Sequence, residues 1–158
     1  TIHRQENADS RARMRSILDA ILKYDGTVVL PLHPRTKKNL KAWNMLSDLE
    51  SAKHVLILPP LNFMAFATLE RYARTIMTDS GGVQKEAYYF GVPCVTIRHE
   101  TEWKETVAEG WNTLVGTDEA RILDALASPR PGRARETSYG DSEVAKRIVA
   151  CIDGMGLG

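Results

Sequence analysis

The residues best suited to chemistry lie in one short run, Ser80-Gly81-Gly82 with Glu86 four residues further on. Ser80 is a good helix N-cap, and the two glycines remove the side chains that would keep a ligand off the first turn of a helix. The N–H groups of that turn have no partner within the helix and carry the positive end of its dipole, so an anion of phosphate size is accommodated there. Glu86 falls on the same helix face as Gly82, roughly 6 Å further along the axis. A phosphate on the glycines leaves this carboxylate near an attached sugar, and the vicinal hydroxyls of a ribose suit a carboxylate acceptor. The same residues also serve as a plain tight turn followed by a solvated glutamate, and the local sequence leaves both readings open.

The surrounding run explains how such a turn is held. Thr75 to Met77 reads as a short strand entering the turn, the helix stops at Gly91, and Cys94 to Ile97 reads as the next strand. Upstream, a charged helix is expected from about Asp9 to Lys23, with Met14, Ile17, Leu18, Ile21 and Leu22 on one face. A strand from Thr27 runs toward His33, with Pro31 ending its regular ladder by about Leu30. Asn39 to Leu49 reads as one helix and Val55 to Leu58 as a buried strand. Asn62 caps a helix to about Ala73. Further on come a helix from Glu102 to Glu109 stopped by Gly110, a strand from Thr113 to Val115, and a helix capped by Thr117 or Asp118. Pro129 to Gly132 breaks the chain, Ser142 to Ile152 forms an amphipathic helix on Val144, Ile148, Val149 and Ile152, and the tail after Gly154 frays.

Strands alternating with helices predict an α/β sandwich built on a parallel sheet. Ligands bind such sheets outside the carboxyl ends of the strands. That rule places His33, the loop after Leu58, the Asp79 to Gly82 turn and the Arg98 to Glu102 segment along one edge. The helix-first order at the N-terminus predicts that a strand before it has been removed.

Composition narrows the classes. A chain of 158 residues that is 43% hydrophobic and 26% charged supports one domain with a real core. A formal charge of +1 gives no basis for nucleic acid or an anionic membrane as principal partner. Two cysteines, Cys94 and Cys151, make neither a disulfide framework nor a metal-ligand spacing. No leader or membrane-length apolar run is visible, so a soluble, cytoplasmic protein is expected.

Six ordered motifs then resemble one family. They are Thr1-x-His3-Arg4-x-Glu6-Asn7, Pro31-Leu-His33-Pro34, Thr78-Asp-Ser-Gly-Gly-Val-Gln-Lys-Glu86-Ala with Phe90-Gly-Val-Pro93, Thr101-Glu102, Leu114-Val-Gly116-Thr-Asp118 and Tyr139-Gly-Asp141. Over nearly the whole chain this is similar to the C-terminal half of a non-hydrolysing UDP-N-acetylglucosamine 2-epimerase. The resemblance implies that residues 1–158 are one Rossmann-like half of a glycosyltransferase-B type fold, a parallel sheet sandwiched by helices, with an N-terminal domain missing. It implies a parent homodimer that interconverts UDP-N-acetylglucosamine and UDP-N-acetylmannosamine by removing the C2 proton, expelling UDP to give a glycal, and returning UDP. It implies no metal and no nicotinamide cofactor. By motif match, Ser80, Gly81 and Gly82 hold the diphosphate, Glu86 the ribose, and Phe66 stacks near the uracil. His3 assists departure and return of the diphosphate, and Arg4, Glu6 and His33 line the cleft. The carboxylates acting on C2 belong to the missing half, so this chain alone is expected not to epimerise.

Plainer roles compete at several positions. Phe66 shares its helix with Phe63, Leu69 and Tyr72, as a core residue does; His33 can cap a strand end; Glu6 can pair with Arg4 or Arg11 at the surface. Trp103, where many of these epimerases have arginine, and Pro34-Arg35-Thr36 resemble the subgroup acting on UDP-2,3-diacetamido-2,3-dideoxyglucuronate. A nucleotide-sugar glycosyltransferase domain and a non-catalytic α/β module remain the alternatives of other kinds.

Overall fold

The structure is a computed structural model that describes residues 1–128, 131, 139–140 and 143–154. Its elements run α1 (Gln5–Ala8), α2 (Arg11–Lys23), β1 (Val28–Pro31), α3 (Pro34–Ala42), α4 (Leu46–Ser51), β2 (Val55–Leu58) and α5 (Phe63–Tyr72). They continue with β3 (Ile76–Thr78), α6 (Gly81–Phe90), β4 (Cys94–Thr96), α7 (Lys104–Ala108), β5 (Asn112–Leu114), α8 (Glu119–Ala127) and α9 (Val144–Gly154). Every strand pairing is parallel, as the alternation of strands and helices requires.

The expected single sheet is in fact two. β1 pairs only with β2, while β3, β4 and β5 form a second sheet in that order. One hydrophobic core nevertheless serves both. Met14, Ile17, Leu18 and Ile21 of α2 pack with Leu30 and Leu32 on one side and with Val95, Ile97 and Ile122 on the other. A smaller cluster of Ile76, Val83, Ala87, Val92 and Cys94 anchors α6 to the β3–β4 edge.

Several boundaries depart from the sequence reading for local reasons. The Ser10 side chain accepts from the Arg13 amide, so α2 starts at Arg11, and a separate four-residue helix, α1, precedes it. Pro31 does not end the ladder, because the Leu32 amide still donates to the Leu58 carbonyl at 3.0 Å. Amides at alternate positions of a strand point to opposite sides. The nitrogen that Pro31 lacks as a donor therefore faces away from β2 and costs no β1–β2 bond. The single helix expected from Asn39 to Leu49 is two helices, because Asn44 takes a left-handed φ of 56° and turns the chain between them. The expected face of α9 exists but is not packed, with Ile148, Val149 and Ile152 each about half exposed. Phe63 and Tyr72 of α5 are also largely exposed, at 71% and 79%, so they are not the core residues their spacing suggested. Most of the expected break from Pro129 to Gly132 and of the tail after Gly154 lies outside the described residues.

The caps that aim the site behave as read. Asn62, Ser80 and Asp118 each accept from the amide three residues on, and Gly91 ends α6 at a φ of 65° that only glycine adopts freely.

Candidate functional site

The N-terminus of α6 opens at the carboxyl end of β3. The Ser80 hydroxyl accepts from the Val83 amide at 3.5 Å, and the Ser80 carbonyl from the Gln84 amide at 3.1 Å. The amides of Gly81 and Gly82 precede the helical ladder and have no carbonyl within it to bond. A side chain on Gly82 would meet nothing nearer than the Ser80 Oγ at 3.8 Å, so that face of the turn is open. Gly81 is closed in by contrast. A β-carbon there would stand 3.4 Å from Glu102 Oε2 and 3.7 Å from Arg4 Nη2, and the Trp103 indole donates to the Gly81 carbonyl at 2.7 Å.

Asp79, the residue before the cap, ties the N-terminal segment to this turn. It is fully buried. Its carboxylate accepts from the His3 amide at 3.0 Å, the Arg4 amide at 3.1 Å and the Asn7 side chain at 3.1 Å. Asn7 also donates to the Ile97 carbonyl at 3.1 Å, which links the same segment to the end of β4. His3 and Arg4 are thereby carried to the mouth of α6. Burial holds the His3 imidazole below the ordinary histidine value, against the opposing pull of Asp79, so the ring is neutral at pH 7. Its centroid is 6.1 Å from that of His33, and His33 caps α3 by accepting from the Arg35 amide at 3.3 Å.

Two guanidinium groups meet on the Glu102 carboxylate beside the turn. Arg4 lies 3.4 Å from Glu102. Arg98, only 7% exposed, lies between Glu6 at 3.5 Å and Glu102 at 3.1 Å. Glu6 thus pairs with Arg98, and at 3.9 Å with Arg13, instead of the Arg4 or Arg11 suggested by its place in the sequence. Both long-range partners are invisible to local spacing. Glu102 is held below the usual carboxylate range by its own backbone amide and then by Arg98.

Behind the turn a buried polar network fixes the loop that carries Glu102 and Trp103. The Thr101 hydroxyl donates to Gln84 Oε1 at 2.6 Å, the Asn112 amide donates to the same oxygen at 3.2 Å, and the Thr96 hydroxyl donates to Asn112 Oδ1 at 2.7 Å. Lys85 stands over the Trp103 ring, 4.4 Å from its centroid.

Phe66 and Glu86 lie further along α5 and α6. Phe66 is half-buried, packed against the cluster of Ile76, Val83 and Ala87, and it also faces the cavity between the sheets. Glu86 has an acidic neighbour that the sequence reading passed over. Glu70 of α5 is 4% exposed, and burial first and the Glu86 carboxylate second push its carboxyl up to about 8. A raised acid pKa stabilises the fold fully below the unfolded value near 4.5, and the benefit is lost as pH rises toward 8. Glu70→Gln is therefore expected to flatten the fall in stability between pH 5 and pH 8. At pH 8 the variant should exceed the parent by about 2–4 kcal/mol in urea unfolding. Equal pH slopes for the two proteins would show that Glu70 is ionised in the fold.

The structure thus gathers His3, Arg4, Glu6, His33, Ser80, Gly81 and Gly82 at one edge, and sets Phe66 and Glu86 along the helices behind them. Asp79, Asn7, Arg98 and Gln84 were missed as individual residues. Only the adjacency of Asp79 to the cap could have drawn attention to it. Among the described residues no group of three or more His, Cys, Asp or Glu side chains could hold a metal ion, and no helix is long and apolar enough to cross a membrane.

Fold and site together define an α/β domain with parallel strands, in which a helix opens with unpaired amides at the carboxyl edge of a sheet. The sequence profile of the UDP-N-acetylglucosamine 2-epimerase family matches residues 1–153. The chain belongs to that family. It is 38% identical over 155 residues to a UDP-N-acetylglucosamine 2-epimerase homolog of Methanococcus maripaludis, covering 96% of this chain and 43% of that protein. It is 36% identical over 154 residues to the UDP-2,3-diacetamido-2,3-dideoxy-D-glucuronate 2-epimerase of Pseudomonas aeruginosa, covering 94% of this chain and 42% of the relative. The crystal structure of the Methanocaldococcus jannaschii UDP-GlcNAc 2-epimerase in complex with UDP-GlcNAc and UDP superposes with a TM-score of 0.86 at 37% identity, over 96% of this chain and 43% of that one. The chain therefore spans less than half the length of the relatives it matches, and its fold is that of one half of such an enzyme.

Proposed function

We propose that this chain is the UDP-holding half of a UDP-sugar 2-epimerase, with UDP-N-acetylglucosamine as substrate. The observation that carries the reading is the first turn of α6, open at Gly82 and lying beside His3 and Arg4, in a chain 37% identical to an enzyme crystallised with UDP and UDP-GlcNAc. The diphosphate lies on the amides of the first turn of α6, with Arg4 and Arg98 supplying positive charge at close range. Glu86 accepts from the ribose hydroxyls, and Phe66 packs near the uracil.

In the reaction the C2 proton is removed and UDP departs, which leaves a glycal. The bond to C1 breaks with its electron pair going to the β-phosphate oxygen. Preoriented amides and guanidinium groups favour that charge without rearranging as it forms. His3, held beside the turn by Asp79, is positioned to share a proton with the departing and returning phosphate oxygen. The groups that act on C2 belong to the other domain of the parent enzyme, so the chain alone is expected to show no turnover. A second reading, epimerisation of UDP-2,3-diacetamido-2,3-dideoxyglucuronate, is supported by the Pseudomonas aeruginosa relative.

Calorimetric titration with UDP and with uridine tests the proposal. UDP is expected to bind, uridine to bind more weakly, and Glu86→Ala to lower the affinity for UDP by about 10- to 100-fold, the worth of a hydrogen bond to a charged group. Absence of UDP binding by the folded chain would refute the assignment of this half as the UDP holder.

A further inference from the structure

The indole of Trp103 and the ammonium of Lys85 sit together beside the first turn of α6, and no step of the proposed chemistry uses them. The indole N–H donates to the Gly81 carbonyl at 2.7 Å. In the helical ladder the Lys85 amide bonds that same carbonyl, four residues back. A carbonyl oxygen has lone pairs for both donors. A trans peptide sets its C=O and N–H in opposite directions, so the group gripped at the Gly81 oxygen directs the Gly82 amide out of the helix end. The indole is itself held from behind. The Trp103 amide donates to the Thr101 hydroxyl at 3.1 Å, and its carbonyl accepts from the Thr106 hydroxyl at 2.7 Å. The Lys85 nitrogen stands 4.4 Å from the Trp103 ring centroid and 5.0 Å from that of Tyr139, and the two rings meet edge to face at 5.6 Å. The Tyr139 hydroxyl donates to Glu105 at 2.6 Å, which fastens the outer ring. A cation over the face of an indole draws the ring electrons toward it, which makes the N–H a stronger donor. A hydrogen bond accepted by a carbonyl in turn polarises its peptide and strengthens the N–H at the other end.

We propose that Trp103 and Lys85 are positioning residues for the diphosphate, acting through the peptide between Gly81 and Gly82. Trp103 grips the carbonyl end, Lys85 strengthens that grip through the indole, and the amide end is held as a preoriented donor to a phosphate oxygen. The proposal rests on the assignment of this turn to the diphosphate, and neither side chain is asked to touch the substrate. A donor fixed before the ligand arrives needs no rearrangement as negative charge builds on the leaving diphosphate. The uridine portion, assigned to Glu86 and Phe66, makes no use of this peptide, so the effect is confined to the diphosphate.

The test titrates UDP and uridine by calorimetry into the 158-residue chain and into Trp103→Phe, Lys85→Met and the double variant. Trp103→Phe keeps a ring beneath Lys85 and removes only the donor. It is expected to weaken UDP about fivefold and to leave uridine within about twofold of the parent, since one hydrogen bond is lost at the diphosphate end alone. Lys85→Met is expected to weaken UDP about threefold, and to change almost nothing in the Trp103→Phe background, because its effect passes through the indole. In the ligand-free chain the Gly82 amide nitrogen resonance should move upfield in both single variants, a signature that a loss of stability does not produce. Equal losses for UDP and uridine, an unmoved Gly82 resonance, or fully additive losses in the double variant overturn the proposal. UDP binding that is undiminished in Trp103→Phe overturns it while leaving the diphosphate assignment intact, whereas a folded parent that binds no UDP removes both.

Discussion

Replacing Asp79 by alanine is expected to destabilise the protein by about 3–5 kcal/mol, a large share of the stability of a domain this size. The carboxylate is fully buried and receives the His3 and Arg4 amides and the Asn7 side chain. Its removal strands three donors at once, each costing about 1–3 kcal/mol when left without a partner. Asp79→Asn keeps one acceptor oxygen but turns an NH2 toward the remaining donors, so it should fall between the parent and the alanine variant. Asn7→Ala removes one donor along with its bond to the Ile97 carbonyl and should cost less than Asp79→Ala. Urea unfolding of the three variants checks the order. A loss below about 1 kcal/mol for Asp79→Ala would mean that the N-terminal segment is not held by this group. Because Asp79 also positions His3 and Arg4, the same variant should weaken UDP binding by more than its stability loss alone explains.

The second large effect concerns the open glycine. Gly82→Val is expected to weaken UDP binding by several hundred-fold, while the unfolding free energy shifts by less than about 1 kcal/mol. The branched side chain occupies the space in front of the Gly81 and Gly82 amides. Losing two hydrogen bonds to a charged phosphate costs about 3–4 kcal/mol. The protein itself scarcely notices, since the nearest atom to a β-carbon at Gly82 is the Ser80 Oγ at 3.8 Å. Gly82→Ala should even stabilise slightly, because glycine is about 1 kcal/mol worse than alanine within a helix. Titration with UDP and thermal melting on the same samples separate the two effects. Undiminished UDP affinity in Gly82→Val would place the diphosphate elsewhere.

What the sequence determined by itself is local. Ser80, Asn62 and Asp118 cap helices, and Gly91 ends one, because a side-chain oxygen three residues from an amide, or a residue free to take positive φ, acts within a single turn. The alternation of apolar strands with helices likewise required parallel pairing, and the glycine pair marked the helix terminus that opens at the carboxyl end of β3. Only tertiary structure could join residues that lie far apart along the chain. His3 meets Asp79 across 76 positions, Glu6 meets Arg98, and Gln84 meets Thr101 and Asn112. Those pairings depend on how strands and helices stack, and no local spacing encodes them. The carboxyl of Glu70, which no local feature of the sequence singles out, is raised by burial first and by the Glu86 carboxylate second. The exposure of Phe63 and Tyr72, and the apolar slot between β1 and β3, follow from where the sheets stop, which is decided by the strands available to pair.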